Sequence, residues 1–398
     1  MKVKSFLKCK WVAHSFIAGA LVLLLLFASL PGCVPAAEEE GPPPEEDAYE
    51  EYVASLPEGC LPVPRDCFEQ AMEEGQLNIY DWAEWWPEEM YTNFDKEFGF
   101  KMVRDNYADY DEITAKFKLN PNVSYDMITG LATRDVVRLQ TMGVLQEINY
   151  DWLPNVVKYI ADNFKGGEYN PSAEYAVYSA YSYTTYAYNT KYVDDPRLPS
   201  LAVLLEPDEK YKGRVTMVDD MYLTIGAALI YLGYRIDSDD EEELMEARDL
   251  LMRQKPYVMA YDWWPKRVIL EEEAWIAQLG CGDSWAIHQE LETVEKAIPP
   301  EGVRMAQEIM IIPIGSEHPA VAHMWLNYVQ RPQVNALMCE AIGYTPCNLG
   351  APQYMSEEVR KWISVPEAYL DKIQVVGPSA YTGKGLELRS AIWEELKR

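Results

Sequence analysis

From residue 76 onward, short apolar runs alternate with longer amphipathic stretches, and this alternation confines the chain to an α/β architecture. Residues 77–80 read as a strand, 88–98 as a helix, 101–104 as a second strand, 111–117 as a helix and 125–128 as a buried strand. Further on, 214–218 reads as a strand running into Asp219 and Asp220, followed by an apolar helix over 222–232 that Gly233 stops. Residues 240–254 form an acid-started helix closed by Arg253, as the helix macrodipole favours. A strand at 309–313 and a helix at 319–328 repeat the order near the end. Largely parallel strands follow from such a pattern, with ligands gathering at strand carboxyl ends.

The amino end obeys different rules. Residues 1–32 hold Lys2, Lys4, Lys8 and Lys10, no acid, and a greasy run through Leu21, Val22, Leu23, Leu24, Leu25, Leu26 and Phe27. Leu30, Pro31, Gly32 and Cys33 then make a cleavage box that resembles a bacterial lipoprotein signal, with Cys33 as the lipidated mature terminus. An uncleaved anchor helix is the alternative, because the apolar run approaches the ~20 residues that span a bilayer. Either way the rest of the chain is expected outside the cytoplasm, anchored to a membrane. Residues 33–75 begin with Pro42, Pro43 and Pro44 among many acids, and no basic residue occurs between Cys33 and Arg65. Like charges and few apolar groups make this an extended tether, with an acidic docking tail as the alternative.

Over the whole chain, 35 Lys and Arg stand against 64 Asp and Glu, a formal charge of −29. Such a surface repels a phosphate backbone, so nucleic acid is excluded as a main partner and cationic ligands come forward. With 48% hydrophobic residues there is ample material for real cores. Beyond Cys9 and Cys33, five cysteines remain, and Cys60 with Cys67 and Cys339 with Cys347 flank turns as candidate disulfides, leaving Cys281 over. No cysteine and histidine spacing suits a metal, and no cofactor motif is present. His288, His318 and His323 form no HExxH or nucleophile–base pattern, and Cys281 beside Gly282 and Asp283 is the only nucleophile-like group, so an enzyme is not expected.

The ordered segments Tyr80-Asp81-Trp82-Ala83-Glu84-Trp85, Tyr211-Lys212-Gly213-Arg214-Val215-Thr216-Met217-Val218-Asp219-Asp220, Leu232-Gly233-Tyr234, Arg331-Pro332 and Ile342-Gly343-Tyr344-Thr345-Pro346 resemble the spermidine/putrescine-binding proteins of bacterial ABC transporters. The resemblance runs from about Leu77 to the C-terminal helix and implies a type II, periplasmic-binding-protein-like fold of two α/β lobes. Hinge segments would then join the lobes around an interlobe cleft. By analogy the chain crosses near Tyr186, Gln307 and Met355, giving lobe one as 76–185 plus 307–354 and lobe two as 186–306 plus 355–398. A monomer that hands a polyamine such as putrescine or spermidine, or a related small cationic amine, to an ABC permease is the implied role; a ligand-sensing lipoprotein, or a binding protein for a different small solute, is the alternative.

The same resemblance implies a ligand site at Trp82, Trp85, Asp220, Asp283, Glu308 and Tyr344. An ammonium leaving water needs carboxylates, and aromatic faces give its methylene stem an apolar wall with cation–π attraction. Each residue also has a plainer reading: the tryptophans as packing, Asp220 as the cap of the following helix, Asp283 as a turn residue. The chain departs from the family at Leu131 and Thr133, at Leu223 where a second amine carboxylate is usual, and at Ala306 and the Gly280-Cys281 position where tryptophans are usual. Trp285 or the Trp263-Trp264 pair is available to compensate. These departures imply a ligand with one cationic end, or another cation, rather than spermidine held in the usual way. The tyrosines at 175, 178, 181, 183, 186 and 188 read as the filling of a strand face, with a cleft wall as the alternative.

Overall fold

Leu77, Ile79 and Tyr80 are apolar and fully buried, and they draw Gln76–Trp82 into the first strand, β1, of a mixed sheet. The computed structural model describes residues 47–398 apart from 83, 84, 109, 168 and 169. The signal segment, Cys33 and the tether as far as residue 46 lie outside the described residues. Among the described residues no helix is long and apolar enough to cross a membrane.

The remaining strands are β2 (Lys101–Tyr107), β3 (Met127–Leu131), β4 (Ala176–Asn189), β5 (Val215–Met217), β6 (Val258–Tyr261), β7 (Ile276–Gly280), β8 (Val294–Ala297), β9 (Val303–Ile311), β10 (Thr345–Pro346) and β11 (Ile373–Gln374). They join in the order β2-β1-β3-β9-β4-β7-β5-β6, with β8 and β10 also on β4 and β11 on β9. The flanks are parallel: β1 with β2 and β3, and β5 with β6 and β7. The centre is antiparallel, because β3, β9, β4 and β7 alternate in direction. The expectation of largely parallel strands therefore holds for the two flanks and fails in the middle. There, one strand of 14 residues, β4, carries the chain from one flank to the other.

Two large hydrophobic cores, and a smaller third around Val268, Ile269, Leu279 and Ile287, lie along this sheet. One gathers the residues around β1 to β3 and the helices Pro319–Val329 and Pro332–Ile342; the other gathers Met221–Leu232, Glu241–Gln254 and the C-terminal helix Gly383–Lys397. β4 runs through both, with Tyr183 buried in the first and Tyr186 in the second. Its tyrosines do fill a strand: Tyr178, Tyr183 and Tyr186 are all within 2% of full burial. The helix Met221–Leu232 is capped as its sequence dictates, by the Asp220 side chain at its start and by Gly233 in left-handed conformation at its end.

Two expectations need correction. Residues 47–75 are not tether: Ala48–Ser55 and Arg65–Glu74 are helices whose Tyr52, Cys67, Phe68 and Ala71 are buried in the first core. Tyr52 stacks on Phe68 at 5.0 Å, and Arg65 pairs with Asp47 and Glu50, so apolar contact offsets the acidity that suggested an extended chain. The paired disulfides are also absent, since Cys60, Cys67, Cys281, Cys339 and Cys347 are all free and buried. Their sulfurs face other partners: Cys60 the Gln333 amide oxygen at 3.3 Å, Cys67 the Ala320 carbonyl, and Cys339 the Asn335 side chain one helical turn away.

Candidate functional site

Between the two cores opens a cleft of about 550 Å³, a volume that suits a small molecule. Its walls are strand ends. Trp82 and Trp85 follow or end β1, Arg134 follows β3, Asp220 follows β5, Trp263 and Trp264 follow β6, and Asp283 follows β7. The carboxyl ends of both parallel flanks thus converge on one space, as an open α/β sheet requires. All six predicted residues, Trp82, Trp85, Asp220, Asp283, Glu308 and Tyr344, line it together.

Glu308 is the most deeply set of them. It lies on β9, is 3% exposed, and accepts hydrogen bonds from the indoles of Trp85 at 3.2 Å and Trp86 at 3.1 Å. Tyr344 meets Trp85 edge-on at 5.4 Å, and Trp82 packs edge-on against Tyr107. Burial, and then the neighbouring Asp81 carboxylate, push the Glu308 carboxyl up to about 8. Asp81 is itself buried, hydrogen-bonded by the Thr129 hydroxyl at 2.5 Å and by the Tyr91 hydroxyl. Gly130 closes in from β3 with φ +76°, and a Cβ there would stand 2.8 Å from the Tyr107 hydroxyl and 3.6 Å from Glu308, so only glycine fits.

The other two acids differ in how far they are engaged. Asp220 Oδ1 accepts the backbone N–H groups of Tyr222 and Leu223, and its Oδ2 is 3.5 Å from the Arg134 guanidinium. It is therefore cap and cleft residue at once. Asp283 Oδ2 accepts the Gly280 N–H at 3.1 Å, and burial lifts its carboxyl to about 7. Arg134 is further held by Asp135 at 3.5 Å and lies over the rings of Tyr110 and Tyr222. Arg304, on the same strand as Glu308, lines the cleft with its Nε buried and unpartnered.

The departures have definite places. Leu131 is buried and leaves the lining to Ala132, and the Thr133 hydroxyl lies 3.2 Å from the Tyr178 hydroxyl, turned away from the cleft. Leu223 and Ala306 do line the cleft. Trp285 packs against Trp362 and does not reach the cleft wall, whereas Trp263 and Trp264 line it while remaining 44% and 46% exposed. Sequence reasoning missed Trp86, Arg134 and Arg304. The signals were a third tryptophan in the Trp82 cluster, a basic residue opening the helix after a buried strand, and the alternation Arg304, Ala306, Glu308 ahead of the apolar run.

Residues 89–367 match the sequence profile of the bacterial extracellular solute-binding proteins. The chain belongs to that family. Members are substrate-binding proteins, not enzymes. One solute-binding relative, the spermidine/putrescine-binding periplasmic protein of Escherichia coli K12, is 27% identical over 290 residues, spanning 73% of this chain and 82% of that one. The putrescine/cadaverine-binding protein of Pseudomonas aeruginosa is 26% identical over 306 residues, spanning 73% and 84%. In structure, the spermidine/putrescine ABC transporter substrate-binding protein of Streptococcus pneumoniae superposes with a TM-score of 0.74 at 20% identity, covering 81% of this chain and 98% of that one. A Treponema pallidum lipoprotein gives 0.70 at 22% identity, covering 81% and 99%. The fold is thus the two-lobed α/β architecture of periplasmic substrate-binding proteins.

Proposed function

We propose that the protein is the extracytoplasmic binding component of an ABC importer and that its cleft captures a polyamine or a related small protonated amine. The carrying observation is Glu308, a buried carboxylate at the cleft floor whose side-chain donors are two indoles. A carboxylate in that setting gains most from a cation, and the Trp82, Trp85 and Tyr344 rings supply apolar cover for an alkyl stem with cation–π attraction of ~0.5 to 2 kcal/mol. Asp283 and Asp220 add negative potential to the same space. The polyamine-binding relatives support the same reading. Lobes of 76–185 plus 307–354 and 186–306 plus 355–398 would close on the ligand by flexing where the chain crosses between them. After removal of 1–32, a lipid on Cys33 would hold the monomer at the membrane beside its permease.

Isothermal titration calorimetry on the purified protein tests this, with putrescine, spermidine, cadaverine, pentylamine, 5-aminopentanoate, a neutral sugar and glutarate. Every binder is expected to carry an ammonium, and Glu308→Gln is expected to weaken each by about tenfold or more, as loss of one partner of a buried ion pair does. Binding of the sugar or glutarate alone, or affinity unaltered in Glu308→Gln, would sink the assignment.

A further inference from the structure

A diamine needs two negative seats, and along the β9 floor the cleft supplies one acid and one cation, with Asp283 standing beyond the end of β7 and already accepting the Gly280 N–H. Glu308 is that one acid. At the other end Asp220 is already committed, one oxygen to the helix start and the other facing Arg134, and the adjacent lining position is the apolar Leu223. Two guanidinium groups line the cleft, those of Arg134 and Arg304. Arg134 has Asp135 and Asp220 to balance it. Arg304 has no ion pair among the described residues, and its buried Nε lacks any hydrogen-bond partner.

The placement of Arg304 is fixed by strand geometry. In β9, Arg304, Ala306 and Glu308 pair in unbroken register with Thr184, Ser182 and Ala180 of β4. Alternate residues share a face, so cation, methyl group and acid stand in a row along the cleft floor. At ~3.3 Å per residue the outer two Cα atoms are ~13 Å apart, and once both side chains reach inward the gap suits a linker of roughly four to six carbons. Ala306 leaves that gap open. A second ammonium brought to the Arg304 end would meet a like charge, whereas a carboxylate would give the guanidinium its missing bidentate partner.

We propose that the amine captured here carries a carboxylate at its far end, making the ligand a linear amino acid whose ammonium meets Glu308 and whose carboxylate meets Arg304. This rests on the reading of Glu308 as the ammonium seat given above. Calorimetry with matched five-carbon probes separates the two: 5-aminopentanoate, cadaverine and pentylamine against the wild-type protein, Arg304→Met, Arg304→Lys and Glu308→Gln, each checked for an intact melting transition. In the wild type, 5-aminopentanoate is expected to bind about tenfold or more tighter than either comparison probe, the scale of one desolvated charge pair. Arg304→Met removes that advantage, bringing 5-aminopentanoate down to the affinity of pentylamine for the same variant; Arg304→Lys keeps part of it, which shows that charge at a folded site is responsible. Cadaverine binding as tightly as 5-aminopentanoate, or the advantage surviving Arg304→Met, overturns the carboxylate end and leaves the ammonium seat standing. Failure of all three probes overturns both.

Discussion

Burial lifts the Glu308 carboxyl to about 8 and the Asp283 carboxyl to about 7, so near neutral pH the folded, ligand-free protein holds protons that the unfolded chain has released. The unfolded state binds fewer protons over that interval, hence stability falls as pH rises from about 4 to about 8 and levels above it. Thermal melts of the apo protein across this range should show the decline, and Glu308→Gln should flatten it and raise the melting temperature at pH 8. Binding runs the other way. An ammonium requires the charged carboxylate, so affinity should climb between pH 6 and pH 8 with proton release, visible as buffer-dependent heats in calorimetry. Around Glu308 stand Asp81, Tyr91, Tyr107, Tyr110, Tyr344 and Cys339, and of these only Asp81 is a carboxylic acid, itself pushed upward by burial. Residue types told much of this in advance: an acid ahead of an apolar strand and tryptophans after another were enough to suggest a pocket. Arg134 and Arg304 escaped notice because a lone arginine in sequence reads as surface, and only register along β9 turns the latter toward the cleft.

At the scale of elements, hydrophobic periodicity located part of the framework, including Glu88–Phe98, Pro319–Val329 and the strand that precedes Asp220, and passed over β6, β7, β8 and the helix Pro332–Ile342. It failed where composition argued against order. The acid-rich stretch 47–75 folds because Tyr52, Phe68 and Ala71 point one way while the acids point another, a distinction that net charge hides. Phe68→Ala should therefore destabilise the protein by about 3 kcal/mol in urea unfolding, the usual penalty for emptying a buried aromatic site, and an unfolding midpoint equal to wild type would show that these helices contribute nothing. β9 begins well before its apolar run, since 303–308 alternates between core and cleft and so lacks the continuous hydrophobicity of 309–311. The cysteine pairs were misjudged for a related reason: closeness in sequence says nothing about where a sulfur points. With all five described cysteines reduced, a strong thiol reductant should leave the melting temperature where it was.

For the molecule as a whole, the family pattern of segments anticipated two lobes, whereas the antiparallel centre of the sheet was invisible without pairing information. β4 and β9 cross that centre side by side, so the proposed closure would be carried by bending these two strands and not by rebuilding either core. Small-angle scattering should record a smaller radius of gyration once a binding amine saturates the protein, and an unaltered curve would argue for a rigid cleft. The two N-terminal helices add an asymmetry to this motion. Their buried side chains belong entirely to the first core, so the approach of the chain is welded to that half and the other half has no such attachment. A load applied at residue 47 is borne by the first lobe alone. If the lobes close as proposed, the first would be the fixed jaw of a vice and the second the travelling one, and an immobilised protein held by its amino end would stay free to grip.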